Sequence, residues 1–146
     1  MTSDFAQASD LDRSTCFALV SSRRVGRLVL GGAEPVVVPV NFVVRDDALV
    51  LRTAHDARVV HGVGTTVVFE VDDVDETHHT GWSVVVRGEL ADATGTLSID
   101  EELTERLEPW APGQKDRWLL VRVAEISGKW VRGRDDRPPF DERAYL

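Results

Sequence analysis

The feature that most constrains this chain is a succession of short β-branched runs, each closed by glycine, proline or aspartate. Val25–Leu30 runs into Gly31-Gly32. The run 36–44 opens after Pro35 and reaches Ala48–Thr53 through a tight Asp46-Asp47 turn. Further runs cover 65–71, 82–91 and 118–126, the last with an extension at 129–131. Short strands with frequent turn signals predict a mostly β protein, a six-stranded antiparallel β-barrel with a few helices. Strands and helices do not alternate regularly, which argues against a doubly wound parallel sheet. Proline cannot donate to a ladder, so Pro39 inside the second run predicts an edge position or a bulge.

Helical pattern is confined to three places. In 11–22, Cys16, Leu19 and Val20 fall at helical spacing, with Asp10 or Asp12 able to cap the start. A short helical turn is expected over 55–61, ended by Gly62 and Gly64. Ser98-Ile99-Asp100-Glu101 reads as a capping box, followed by an apolar stripe of Ile99, Leu103 and Leu107 and stopped by Pro109. The expected organisation is one domain over 11–132, preceded by a flexible N-terminus at 1–10. A polar tail at 133–146, rich in Arg, Asp and Pro, is expected to be mobile or partner-bound.

Composition narrows the function classes. With 146 residues and 42% hydrophobic content, the chain can bury one real core. A net charge of -8 opposes general binding to nucleic acid or to an anionic membrane. No apolar stretch is long enough to span a bilayer, and the acidic N-terminus lacks a secretory signal pattern. A single cysteine, Cys16, rules out an internal disulfide and fits a reducing, cytoplasmic location.

In so acidic a chain, Arg52, Thr53 and Arg58 stand out as a local cationic cluster at a strand end. A phosphate there would receive a planar guanidinium fork, a hydroxyl and backbone N–H groups. The plainer alternative is that both arginines pair with surface carboxylates. Asn41 is a polar amide in an apolar strand and needs a hydrogen-bond partner, from backbone or from a ligand. Glu70, Asp72, Asp73, Asp75, Glu76, His78 and His79 resemble a metal cluster only in composition. Adjacent histidines on a strand point to opposite faces, so a solvated acidic loop over 72–80 without a metal is the expected reading. Cys16 reads as a small buried hydrophobe, and Trp110, Trp118 and Trp130 as core or subunit interface.

The order of these segments resembles the pyridoxamine 5′-phosphate oxidase-like family of FMN-binding split barrels, most of all its short actinobacterial-type members. The matching pieces are a helix with Cys16 leading into Val25-Gly26-Arg27-Leu28, then Pro39-Val40-Asn41-Phe42 and Leu51-Arg52-Thr53. Val68-Phe69-Glu70-Val71-Asp72, Gly81-Trp82-Ser83-Val84 and Arg87-Gly88-Glu89 follow in order. The resemblance covers roughly residues 10 to 130. It implies a homodimer with flavin at the subunit interface and the flavin phosphate gripped by Arg52, Thr53 and Arg58. It also implies that the Pro39-Val40-Asn41 strand lies along the ring and that Trp82 and Ser83 approach the cofactor. The chain departs from the family in two respects. Arg58-Val59 stands where many members carry a phosphate-loop lysine, and the C-terminal Arg/His substrate motif of true pyridoxamine phosphate oxidases is not evident. Vitamin B6 oxidation is therefore not the expected activity.

The expected function is FMN binding, with oxidoreductase activity on an unidentified small molecule. One alternative is an F420-dependent reductase of the same fold, using Arg23, Arg24 or Lys129 along a longer groove. Another is a non-enzymatic flavin-storage or sensing module whose tail, with Arg132, Arg134 and Arg137, engages a protein. A barrel that has lost its cofactor would keep the same core pattern.

Overall fold

The computed structural model describes residues 7–54, 57–108 and 116–132, with side chains from Ser9 onward. In chain order its elements are β1 (Gln7–Leu11), α1 (Arg13–Ser21), β2 (Val25–Leu30), β3 (Val36–Arg45) and β4 (Ala48–Thr53). A 3-10 turn (Arg58–Gly62), β5 (Thr66–Asp75), β6 (Thr80–Asp92), α2 (Glu101–Arg106) and β7 (Arg117–Arg132) follow. Every strand pairing is antiparallel. The order β7-β4-β3-β2-β5-β6 closes on itself because β6 also pairs with β7. The result is the expected six-stranded antiparallel barrel.

Alternation along the strands builds the core. Leu28, Phe42, Leu49, Leu51, Phe69, Val84, Val86, Leu119 and Val121 all point inward and are buried. Phe42 and Phe69 meet edge-to-face with centroids 5.0 Å apart. α1 adds Cys16, Leu19 and Val20 to the same cluster. Its cap is Asp12, whose carboxylate accepts the Thr15 N–H at 2.7 Å. A second, smaller core lies outside the barrel wall, where Leu103 and Leu107 from the α2 region cover Val43, Val50 and Trp118.

Two local devices shape the wall. The β3–β4 hairpin turns through Asp46 and Asp47, with φ of 49° and 57°, the left-handed pair that a two-residue type I′ turn requires. Between β6 and β7 the register shifts at Arg87/Gly88. A Cβ on Gly88 would collide there with the Arg122 carbonyl, so the bulge needs glycine.

The structure also revises several sequence expectations. Residues 7–10, assigned to a flexible N-terminus, belong to β1, which pairs with β7 from Gly128 to Arg132. No alternation flagged so short a polar segment as a strand. Most of the supposed acidic loop is hairpin, because β5 runs to Asp75 and β6 begins at Thr80. Carboxylates on both faces there conceal the period. The cap of α2 is Asp100 rather than Ser98, its carboxylate accepting the Leu103 N–H at 2.9 Å. Ile99 consequently lies before the helix and is exposed, while Leu103 and Leu107 are buried. The 55–61 turn begins at Arg58. His55, Pro109, Trp110 and the tail 133–146 lie outside the described residues.

Candidate functional site

β3 is longer than its partner. Only Phe42 to Arg45 pair with β4, whereas Val36 to Asn41 pair with β2 alone. The Phe42 N–H donates to the Arg24 carbonyl, on the β2 side. Backbone groups alternate sides along a strand, so Val37, Pro39 and Asn41 direct theirs toward the open side. The missing N–H of Pro39 thus falls on the free edge, which is the edge placement expected of it. Beyond the end of β4 the wall therefore has a seam, lined by unpaired backbone of β3.

β4 delivers the cationic residues to this seam. Phe42, Leu51 and Leu119 form one inward row across β3, β4 and β7. The next row must face outward. It contains Arg52, opposite Trp118, and Asn41 is set beside Arg52 if the ladder register is continued by one step. The Arg52 guanidinium lies over the Trp118 ring, 5.0 Å from its centroid. Trp118 is held in turn by the α2 core. Thr53 ends β4 opposite Arg117, which is itself fixed to Asp92 at 2.8 Å.

Arg58 opens the 3-10 turn and is exposed, while Val59 behind it is buried in the barrel core. The Ala57 N–H bonds to the Ala54 carbonyl at 3.1 Å, which holds the start of the 3-10 turn close to the end of β4. Arg52, Thr53 and Arg58 are therefore carried by consecutive segments at one end of the barrel. Val40 differs from its neighbours: its side chain packs against the core and its backbone groups face β2, so it presents nothing to the seam.

Trp82 and Ser83 sit elsewhere. They pair with Trp130 and Lys129, toward the far end of β7 from Trp118. Trp82 is enclosed in the barrel core, and Ser83 is exposed on the outer wall. Around the wall, Ser83 is three strand spacings from β3, about 14 Å. Between them lies an ion cluster in which Arg27 binds Glu70 and, at 2.9 Å, Asp72. Burial, foremost, and the adjacent Asp72 carboxylate push the Glu70 carboxyl up, against the pull of Arg27.

Of the cations considered for a longer groove, Arg23 is paired with Asp73 at 3.4 Å and Lys129 with Asp10 at 2.8 Å. Among the described residues no group of three or more His, Cys, Asp or Glu is arranged to hold a metal ion. Asp75 instead binds the His78 ring at 2.6 Å within the β5–β6 turn. Cys16 is fully buried, and its thiol is pushed up by burial and then by the Asp12 charge, the opposite of an activated nucleophile. Among the described residues no helix is long and apolar enough to cross a membrane.

Sequence reasoning placed Trp118 in the core or at a subunit interface and did not connect it with Arg52. Its signal was the ladder partnership with Arg52, which appears only once strand register is known.

A closed six-stranded barrel with a seam beside β4 defines the class as a split β-barrel. Residues 12–130 match the family described as pyridoxamine 5′-phosphate oxidase, and the chain belongs to that family. An uncharacterized protein of Mycobacterium tuberculosis is 32% identical over 126 residues, covering 82% of each chain. Among solved structures, the FAD-binding protein from Mycobacterium smegmatis is similar at 26% identity and a TM-score of 0.67, over 86% of this chain and 100% of that one. A conserved protein of unknown function from Corynebacterium diphtheriae is similar at 32% identity and a TM-score of 0.64, over 85% of this chain and 98% of that one. A FAD-binding protein from Mesorhizobium loti shares the fold at 20% identity and a TM-score of 0.69, over 84% of this chain and 97% of that one.

Proposed function

We propose that this protein binds a flavin nucleotide in the β3–β4 seam and acts as an oxidoreductase on a small molecule. The observation that carries the reading is Arg52 over Trp118 on the outer face of β4, beside the free edge of β3 that carries Asn41. These residues fit the group. An arginine oriented over a tryptophan presents its guanidinium plane in a fixed direction, which suits a phosphate. Thr53 offers a hydroxyl donor and Arg58 a second guanidinium. The Asn41 amide and the open backbone groups of β3 suit the carbonyls and ring nitrogens of a flavin. FAD-binding proteins among the similar structures support a flavin.

FMN is the form we favour, since the cationic cluster provides for one phosphate. Of the three cations expected along a longer F420 groove, Arg23 and Lys129 are committed to carboxylates and Arg24 is exposed, which leaves that groove poorly supplied. When bound, the flavin supplies hydride or electron transfer at its ring. The chain's own residues hold the phosphate, fix the ring by hydrogen bonds and leave one ring face open to a donor or acceptor. A second copy of the chain would complete the site, bringing its Ser83 wall toward the seam of its partner. We place this homodimer in the cytoplasm, consistent with the single buried thiol.

The test is a visible absorption spectrum of the purified protein before and after incubation with FMN, FAD or F420, followed by gel filtration. A retained flavin band at dimer size is the expected result. Arg52→Ala combined with Arg58→Ala should abolish that retention while the protein stays folded. Full affinity in the double variant sinks the site, and retention of F420 alone replaces flavin with the deazaflavin.

A further inference from the structure

A second candidate site lies on the outer wall, away from the seam. The segment between β6 and α2 crosses the outer face of β7 and reaches the end of β3, where Asp100 binds Arg45 at 2.8 Å. It does not lie flat on the sheet. Between it and the β3–β4 turn is an open cleft of about 610 Å³, within the size range of small-molecule sites. Val50 and Leu120 form its floor, and Leu97 and Ile99 its opposite wall. Ile99 is 46% exposed, and among the described residues only Val37 and Val74 are more exposed large apolar side chains.

The charged groups of the cleft are unequal. Arg45 is neutralised by Asp100 and by Glu102, the latter at 3.1 Å. Asp47 faces Arg13 at 3.8 Å. Arg122 also lines the cleft, and among the described residues its guanidinium makes no ion pair within 4.0 Å, although Glu89 stands opposite it on β6. Asp46 is exposed at the tip of the turn and points a carboxylate to solvent from the same rim. An apolar floor with one uncommitted guanidinium selects an amphipathic anion. Its apolar body would cover the floor and Ile99, and its carboxylate would meet Arg122 in the bidentate geometry that arginine favours.

We propose that this cleft binds a small amphipathic carboxylate, of the aliphatic or arylalkanoic class, with Arg122 as the anion anchor. The site is separate from the flavin seam: it opens beside the β3–β4 turn, where β4 begins, whereas Arg52 and Thr53 lie at the other end of that strand. No covalent step is involved.

The experiment uses the full chain and octanoate as probe, followed by amide chemical shifts in 15N-labelled protein. For a ligand of this size, millimolar affinity is expected. Saturable shifts should centre on Leu97, Ile99 and Arg122 and leave Arg52 unmoved. Arg122→Gln should weaken octanoate about tenfold, the loss of one charge-assisted contact, while n-octanol binds both proteins equally. Ile99→Asp, a change at an exposed position, should weaken both probes. Flavin retention should be unchanged in either variant, so failure at the cleft and failure at the seam are read separately. The proposal is overturned if octanoate causes no saturable shift at the cleft, if Arg122→Gln binds it as tightly as the parent, or if the shifts centre on the seam.

Discussion

β5 and β6 pair over ten residues, and β6 and β7 over twelve, whereas β3 and β4 pair over only four and β2 and β5 over three. The long pairings make a continuous wall in which nearly every backbone group finds its partner within the sheet. The short ones leave free backbone and place polar side chains beside it. Unpaired strand groups are costly unless something else satisfies them. Stability and recognition are thus divided between two sides of one barrel. The closed side holds the fold, and the seam beside β4 offers donors and acceptors to a ligand.

That division can be broken by substitutions confined to one side. The largest effect is expected from Phe69→Ala, which removes a fully buried ring from the closed side and its edge-to-face contact with Phe42. Loss of about 3 to 5 kcal/mol in chemical denaturation is expected. A loss under about 1 kcal/mol would mean that the wall is not where stability resides. Arg52→Ala acts on the seam. Flavin affinity should fall about tenfold to a hundredfold, the worth of a charged hydrogen bond. Folding stability should fall by no more than about 1 kcal/mol, the scale of its stacking on Trp118. If stability collapses while affinity holds, Arg52 belongs to the fold and not to the site. Trp118→Phe keeps an apolar ring in the α2 core but weakens the face under Arg52. Titration of the variant with FMN should show about twofold to fivefold weaker binding. No change would show that Arg52 is oriented by other contacts.

The same contrast explains what could be read before the structure. The closed wall was legible because alternation of Val, Leu and Phe marks inward positions on β2, β5 and β6. Asp46-Asp47 fixed the β3–β4 hairpin, and Pro39 marked the free edge. β1 was hidden because its residues are polar and short, and only pairing with the second half of β7 makes them a strand. Asp100 displaced Ser98 as cap because Arg45, distant in sequence, draws it to the end of β3. Arg52, Thr53, Arg58 and Asn41 were identifiable as polar exceptions in apolar surroundings. Their neighbour Trp118 was not, since nothing in spacing reveals which residue lies across a ladder. Trp82 and Ser83 share a sequence motif but face opposite sides of the wall, one into the core and one to solvent.

The smallest effect is expected where the two sides meet, at the three-residue β2–β5 pairing. Arg27 lies on β2 there, opposite Glu70, with Asp72 two residues further along β5. Two carboxylates share one guanidinium, and burial raises the Glu70 carboxyl above its ordinary value of 4.5. The folded protein therefore binds this proton more tightly than the unfolded chain does. The stabilisation it contributes is present below the unfolded value and is lost as pH rises through the raised folded one. Glu70→Gln removes that dependence and keeps an acceptor for Arg27. At neutral pH the variant should melt at or slightly above the parent temperature, and the parent should gain on it as pH is lowered through the Glu70 range. Melting curves of both proteins across that range decide the matter. A variant several degrees less stable at neutral pH would show that the Arg27–Glu70 pair outweighs the desolvation of Glu70. The short β2–β5 ladder would then be held together by charge where hydrogen bonds are few.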